Sequence, residues 1–214
     1  MIPALFLMAS VMVVTVLKWA PVNCTPVMLK RSFQFRHEND FRTHCSWVPI
    51  EEVSPWLAKA VIASEDQKFM THHGFDFQAV RDMLESHRNN GTKLRGCSTI
   101  SQQVAKNVFT FGTRTIVRKI EEAYWTGLIE IIWGKRRILE VYLNVVEWGC
   151  GIYGAEAAAQ EYFRSNASDL SPSRAAAMAV CLPLPLIESP DKLSPSYEKR
   201  CERIIKQLNQ IELP

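Results

Sequence analysis

No pair of cysteines in this 214-residue chain has C-x-x-C spacing; Cys24, Cys45, Cys97, Cys150, Cys181 and Cys201 are scattered. That excludes a zinc ribbon and a thioredoxin-like redox motif. Buried free thiols are the expected state at most of these positions. Zinc-finger, helix-turn-helix and RNP-like patterns are missing too, and a net charge of +3 does not call for nucleic acid. Internal repeats, low-complexity tracts and strand-like alternation are scarce or absent, which points away from solenoids and β folds. Gly151-Ile152-Tyr153-Gly154 lacks the Lys-Ser/Thr ending of a phosphate loop. The length suffices for one well-buried domain and excludes two large ones.

One apolar run is present. Ile2 to Leu17 carries no charge and is extended past the single Lys18 by Trp19-Ala20-Pro21-Val22. A spanning helix needs about 20 residues, which the run reaches if Lys18 snorkels to the interface. Trp19 suits an interfacial position. A cleaved signal peptide is the alternative, but a basic n-region and an Ala-x-Ala site are both missing. The expectation is an uncleaved transmembrane anchor over residues 1–22. Lys18, Lys30 and Arg31 follow the run and no Lys or Arg precedes it, so the positive-inside rule would place the C-terminal side in the cytoplasm. A start set too far downstream, removing a basic leader, would account for the short span and the missing charges together.

A polar, partly basic connector follows over residues 23–46, and Trp47-Val48-Pro49-Ile50 opens a folded body running from 47 to 214. That body reads as mainly α. Pro55 marks a helix start, Trp56 to Ala63 continue it, and a second helix is expected from Phe77 to Arg88. Thr99-Ile100-Ser101-Gln102 has the form of a capping box, so a helix carrying Gln102, Gln103 and Lys106 begins there. Ile116, Ile120, Ala123, Gly127 and Ile131 recur at steps of three and four, which predicts the buried stripe of a long helix ending near Gly134. Further helices are expected at Arg136 to Asn144, Ala155 to Phe163, Ser173 to Leu182 and Tyr197 to Leu208.

Four blocks carry the chemistry. The first is Ala63-Ser64-Glu65-Asp66-Gln67-Lys68-Phe69 with His72-His73-Gly74-Phe75-Asp76; the second is Gly96-Cys97-Ser98-Thr99-Ile100-Ser101-Gln102-Gln103-Val104-Ala105-Lys106-Asn107. The third is Arg118-Lys119-Ile120-Glu121-Glu122 and the fourth Lys135-Arg136-Arg137-Ile138-Leu139-Glu140-Val141-Tyr142-Leu143-Asn144. Glu65 lies just past an apolar helix, where burial would raise a carboxylate toward use as a base. Taken alone, Glu65-Asp66 would read as a surface pair, and Arg118 with Glu122 as an i,i+4 pair worth about 0.2–0.5 kcal/mol. Gly96, Ser98 and Thr99 set donors at a helix start, a natural anion site. Asp66, His72 and Asp76 read as supports that cap and hold a loop, and His72 or His73 as a metal ligand is the weaker reading. Glu130 sits in an apolar run, explained by a salt bridge to Arg136 or Arg137. The fourth block reads as architecture, with Asn144 tying down a loop.

In this order the four blocks resemble the glycosyltransferase domain of the peptidoglycan polymerases. The match runs from about Trp47 to near the C-terminus, with Cys97 standing where the family has a small residue. The resemblance implies a lysozyme-like α-helical glycosyltransferase fold. It also implies catalytic roles for Glu65, as proton acceptor from the acceptor sugar's 4-hydroxyl, and for Glu122. Ser98, Gln102, Gln103, Lys106, Arg114, Arg118 and Lys119 would bind substrate, with Lys106 and Arg114 on the pyrophosphate of a lipid-linked sugar. The implied reaction joins lipid II units into β-1,4 glycan strands with inversion, releasing undecaprenyl pyrophosphate. The implied partners are lipid II, the growing glycan, membrane lipid and other cell-wall synthesis or division proteins. No cofactor or metal site is implied, and dependence on a divalent cation is left open. The implied location is the bacterial inner membrane, single-pass, with a periplasmic catalytic domain. Two rival readings are a lysozyme-like glycan-cleaving enzyme, which would need an acid in place of these cations, and a non-catalytic anchored scaffold.

Overall fold

The computed structural model describes residues 2–37, 43–91, 97–111 and 115–214. The chain is mainly helical. In order it forms α1 (Ile2–Leu17), α2 (Pro26–Phe35), β1 (His44–Cys45), α3 (Pro55–Glu65), α4 (Phe77–Asn90), α5 (Ile100–Phe109) and α6 (Ile116–Ile132). It continues through α7 (Gly134–Val145), β2 (Glu147–Gly149), β3 (Ile152–Tyr153), α8 (Ala155–Phe163), α9 (Pro172–Cys181) and α10 (Pro195–Gln207). The strands form one small sheet in the order β1-β3-β2, with β1 parallel and β2 antiparallel to β3.

Local chemistry sets most helix ends. Pro55, Pro172 and Pro195 open α3, α9 and α10, where a missing N–H costs nothing. Asp76 caps α4 by accepting from Ala79 N–H at 2.9 Å, and Gly91 closes it in the left-handed region at φ 62°. The capping box of α5 forms as expected: Thr99 Oγ1 accepts from Gln102 N–H, and the Gln102 side chain accepts from Thr99 N–H.

The core has two packed groups. Helix α3 runs against α9, which α10 also covers, while α5 packs on both α6 and α7. Leu57, Val61 and Ile62 of α3 are buried with the alanine-rich α9, whose small side chains allow close approach. Asn144 ties the segment before α3 to α7, accepting from Val48 N–H and donating to Val48 O, both at 2.9 Å.

Several expectations are corrected. Residues 23–46 contain a helix, α2, capped by Thr25 and opened by Pro26. It packs on α5 with Met28 buried, and β1 joins the sheet, so this segment is part of the fold. The stripe Ile116, Ile120, Ile131 of α6 faces outward at 82%, 66% and 83% exposure, and the inward face is Glu122, Thr126 and Ile129. Of the six cysteines only Cys181 and Cys201 are buried; Cys24, Cys45 and Cys150 are exposed and Cys97 is intermediate.

The transmembrane helix expected over residues 1–22 finds no support among the described residues. Helix α1 has 16 residues, about 24 Å at 1.5 Å per residue, against a hydrocarbon core of about 30 Å. Among the described residues no helix is long and apolar enough to cross a membrane. One face of α1 instead docks on the body. Ser10 and Val14 are buried, Tyr124 Oη donates to Ser10 Oγ at 2.9 Å, and Trp133 Nε1 donates to Val14 O at 2.7 Å. Arg137 closes its C-terminal end by donating to Leu17 O at 2.8 Å.

Candidate active site

Glu65 is the last residue of α3, one position earlier than a residue just past the helix. It lines a cleft of about 370 Å³ together with Asp66, Lys68, Asp76, Cys97, Ser98 and Thr99. The first block thus forms one wall and the start of the second block the other. Burial raises the pKa of Glu65, against the opposing pull of the Gln103 hydrogen bond, Arg200 and Lys106, while Asp66 adds to the rise. A carboxylate held this way suits proton acceptance at neutral pH.

The turn after Glu65 is held by a buried ring of polar contacts. Asp66 accepts from His72 Nε2 at 2.9 Å and from Ile100 N–H at 2.9 Å. His72 Nδ1 accepts from Gly74 N–H at 3.0 Å, which leaves Nε2 to donate to Asp66. Gly74 sits at φ +90°, where a side chain is strained, and a Cβ there would meet Thr126 Cγ2 at 2.8 Å. Thr99 Oγ1 donates to Gly74 O at 2.7 Å, joining the first block directly to the second. These contacts give Asp66 and His72 the supporting roles read from the sequence. Among the described residues no group of three or more His, Cys, Asp or Glu could hold a metal.

At the start of α5 the N–H groups of Thr99, Ile100 and Gln102 are taken by Gln102, Asp66 and Thr99, so of the donors expected to meet an anion Thr99 N–H is engaged within the protein. Gln102 is buried in its cap, whereas Gln103 is half-buried and donates from Nε2 to Glu65 Oε2 at 2.8 Å. Cys97 packs with its Sγ 3.8 Å from Ala79 O. Lys106, one turn beyond Gln103, has its pKa lowered by burial; Glu122 and Glu65 work against that shift, and Arg118 and Lys119 add to it. Lys106 therefore lies in the field of both glutamates.

Glu122 is 2% exposed on the inward face of α6. Arg118 Nη1 donates to its Oε2 at 2.9 Å, and Lys119 Nζ bonds its Oε1. A carboxylate this buried needs its partners, because an unpaired charge there would be costly. Glu130 pairs with Lys135 at 2.7 Å and accepts from Ser101 Oγ at 2.5 Å. The expected pairing with Arg136 or Arg137 is not found: Arg136 bonds Glu51 and Arg137 bonds Glu140.

The fold thus brings together Glu65, Gln103, Lys106, Arg118, Lys119 and Glu122, while Ser98 lines the cleft and Gln102 serves as a cap. Arg114 and Gly96 lie outside the described residues. The sequence reading missed Arg200, which α10 brings near Glu65 from the far end of the chain. It also took Tyr142 only as packing; its hydroxyl donates to Gln103 Oε1 at 3.3 Å. Chemically, this is a partly buried carboxylate near cations, two of which pair with a second carboxylate, an arrangement suited to proton removal next to an anionic leaving group.

The sequence model of the transglycosylase family matches residues 33–209. The chain is 42% identical over 207 residues to the biosynthetic peptidoglycan transglycosylase of Pasteurella multocida (strain Pm70), covering 96% of this chain and 84% of that protein. To the protein of the same name from Pseudomonas syringae pv. syringae (strain B728a) it is 44% identical over 207 residues, covering 96% and 87%. To that of Cronobacter sakazakii (strain ATCC BAA-894) it is 45% identical over 193 residues, covering 89% and 80%.

Proposed function

The chain belongs to the transglycosylase family and is a peptidoglycan glycosyltransferase, and from that premise we propose how its residues divide the work. The enzyme polymerises the glycan of peptidoglycan, with lipid II and the growing chain as substrates. In the proposed division, Glu65 accepts the proton of the acceptor sugar's 4-hydroxyl, and that oxygen attacks C1 of the donor. The lipid pyrophosphate leaves with the bonding electrons, and the anomeric centre inverts. Lys106, Arg118 and Lys119 face the charge that grows on the leaving group, and Arg114 is proposed to add to them. Glu122 keeps Arg118 and Lys119 in place through its two carboxylate oxygens. Ser98 contributes a hydroxyl to the cleft wall.

The observation that carries this reading is the half-buried Glu65, hydrogen-bonded to α5 one turn before the half-buried Lys106. A glycan-cleaving enzyme would need an acid at the leaving oxygen, whereas this site gathers cations. The test is Glu65→Gln, which keeps size and hydrogen bonding but cannot take a proton. Polymerisation should fall by at least about a hundredfold while lipid II binding persists. Near-normal turnover would remove Glu65 from the role.

Peptidoglycan synthesis places the enzyme at the cell envelope. We further propose attachment to the inner membrane with the body on the periplasmic side. The support is apolar surface left uncovered: Leu5, Phe6, Met8, Met12 and Val16 on α1 and Ile116, Ile120 and Ile131 on α6 are all exposed. Helix α1 would enter the bilayer with Trp19 and Lys18 at the interface, beside the outer face of α6.

A further inference from the structure

The hydrogen bonds around Glu65 form a line that crosses three elements. Tyr142 on α7 is fully buried, and its hydroxyl donates to Gln103 Oε1 at 3.3 Å. The same amide donates from Nε2 to Glu65 Oε2 at 2.8 Å. We propose that Tyr142 is a positioning residue, which fixes the Gln103 amide so that its N–H faces the base and holds the Glu65 carboxylate toward the cleft. This deepens the assignment of Glu65 as the base and rests on it.

The reason lies in the symmetry of an amide. The two ends of Gln103 have nearly the same shape but opposite polarity, one a donor and the other an acceptor. With its oxygen toward Glu65, the amide would repel the carboxylate and favour its protonated, inactive form. A donor fixed at the far end selects the productive orientation. One net hydrogen bond is enough for a preference of roughly threefold to tenfold. Tyr142 can serve only while protonated, and its surroundings ensure this. Burial raises its pKa well above the ordinary phenol value, and the charges of Glu65 and Asp66 push in the same direction. A phenylalanine at this position would offer no donor to the Gln103 oxygen.

The charged groups facing Glu65 come from several sides. Asp66 adjoins it at the end of α3, Lys106 faces it from α5 and Arg200 from α10. None of them is altered by a change at Tyr142. The test therefore follows the acid limb of kcat/KM for lipid II polymerisation in the full chain. Removing or turning the donated N–H raises the pKa of Glu65. In Tyr142→Phe the limb should move up by about 0.5–1 pH unit, with KM for lipid II within about twofold of wild type. Gln103→Leu should move it at least as far. Tyr142→Phe placed on top of Gln103→Leu should add no further movement, because Tyr142 acts only through the amide.

A packing role for Tyr142 would leave the limb in place in Tyr142→Phe, or would add its effect to that of Gln103→Leu; either result overturns the proposal. If Tyr142→Phe fails to fold, Gln103→Leu and Gln103→Met decide, and an unmoved limb in both overturns the relay. The base assignment is separated by Glu65→Gln. Loss of turnover there with unmoved limbs elsewhere refutes the relay alone, whereas retained turnover refutes the base and the relay together.

Discussion

At the scale of single residues, the charge of Glu65, the proposed base, is held against its own preference. Burial raises the pKa of Glu65, and Gln103, Arg200 and Lys106 offset only part of that. The linkage has a definite sign. A carboxyl whose folded pKa lies above its unfolded value destabilises the fold at pH above both values and has no such cost below both. Glu65→Gln removes the charge, so it should raise the thermal midpoint at pH 7, and the gain should vanish as pH falls below the ordinary carboxylate range near 4.5. Thermal unfolding of both proteins between pH 4 and pH 8 checks this. A midpoint lowered at neutral pH would show that the charge of Glu65 is well compensated. Residues differ in how far their roles were legible from sequence. The supporting character of Asp66 and His72 was readable because their contacts with each other and with Gly74 are local. The committed state of the α5 N-terminus was not, since Ile100 N–H is bonded to Asp66 from 34 residues away.

At the scale of elements, helix starts were legible because a cap is a short-range signal. The capping box at Thr99 and the proline start of α3 formed where they were expected, and α9 begins one residue before the expected Ser173. The same signal, Thr25-Pro26, opens α2 and was passed over within a polar, basic stretch. Periodicity identified one face of α6 but could not say which way it turns. Burial goes to Glu122 and Thr126, because the site and the first-block turn pack there, and the isoleucines are left outside. That packing can be tested at Gly74, whose conformation and contact with Thr126 leave no room for a side chain. Gly74→Ala should cost about 2–4 kcal/mol of stability, from left-handed strain plus overpacking. A denaturant midpoint within error of wild type would show that the turn adapts freely.

At the scale of the whole molecule, the polar cleft and the apolar outer surface belong to different faces of the same helices. Helix α6 presents Glu122 inward and Ile116, Ile120 and Ile131 outward, and α1 continues the outer surface through its contacts with Tyr124 and Trp133. A lipid-linked substrate explains the need for such a pairing. The protein should therefore float with phospholipid vesicles, and replacing Ile116, Ile120 and Ile131 together with serine should weaken that flotation; unchanged flotation would confine membrane contact to α1. Orientation is a separate matter. A C-terminal alkaline phosphatase fusion should be active, and an inactive one would place the body on the cytoplasmic side.

The central claim is that Glu65 drives glycan polymerisation with loss of a lipid pyrophosphate, and one assay meets it directly. Purified wild-type protein and Glu65→Gln are given lipid II, and undecaprenyl pyrophosphate release is measured together with glycan length. Wild type should release one pyrophosphate carrier for each sugar–sugar bond formed, and Glu65→Gln should fall by at least about a hundredfold in both. Equal release from the two proteins, or shortening of preformed glycan with no carrier released, would contradict the account.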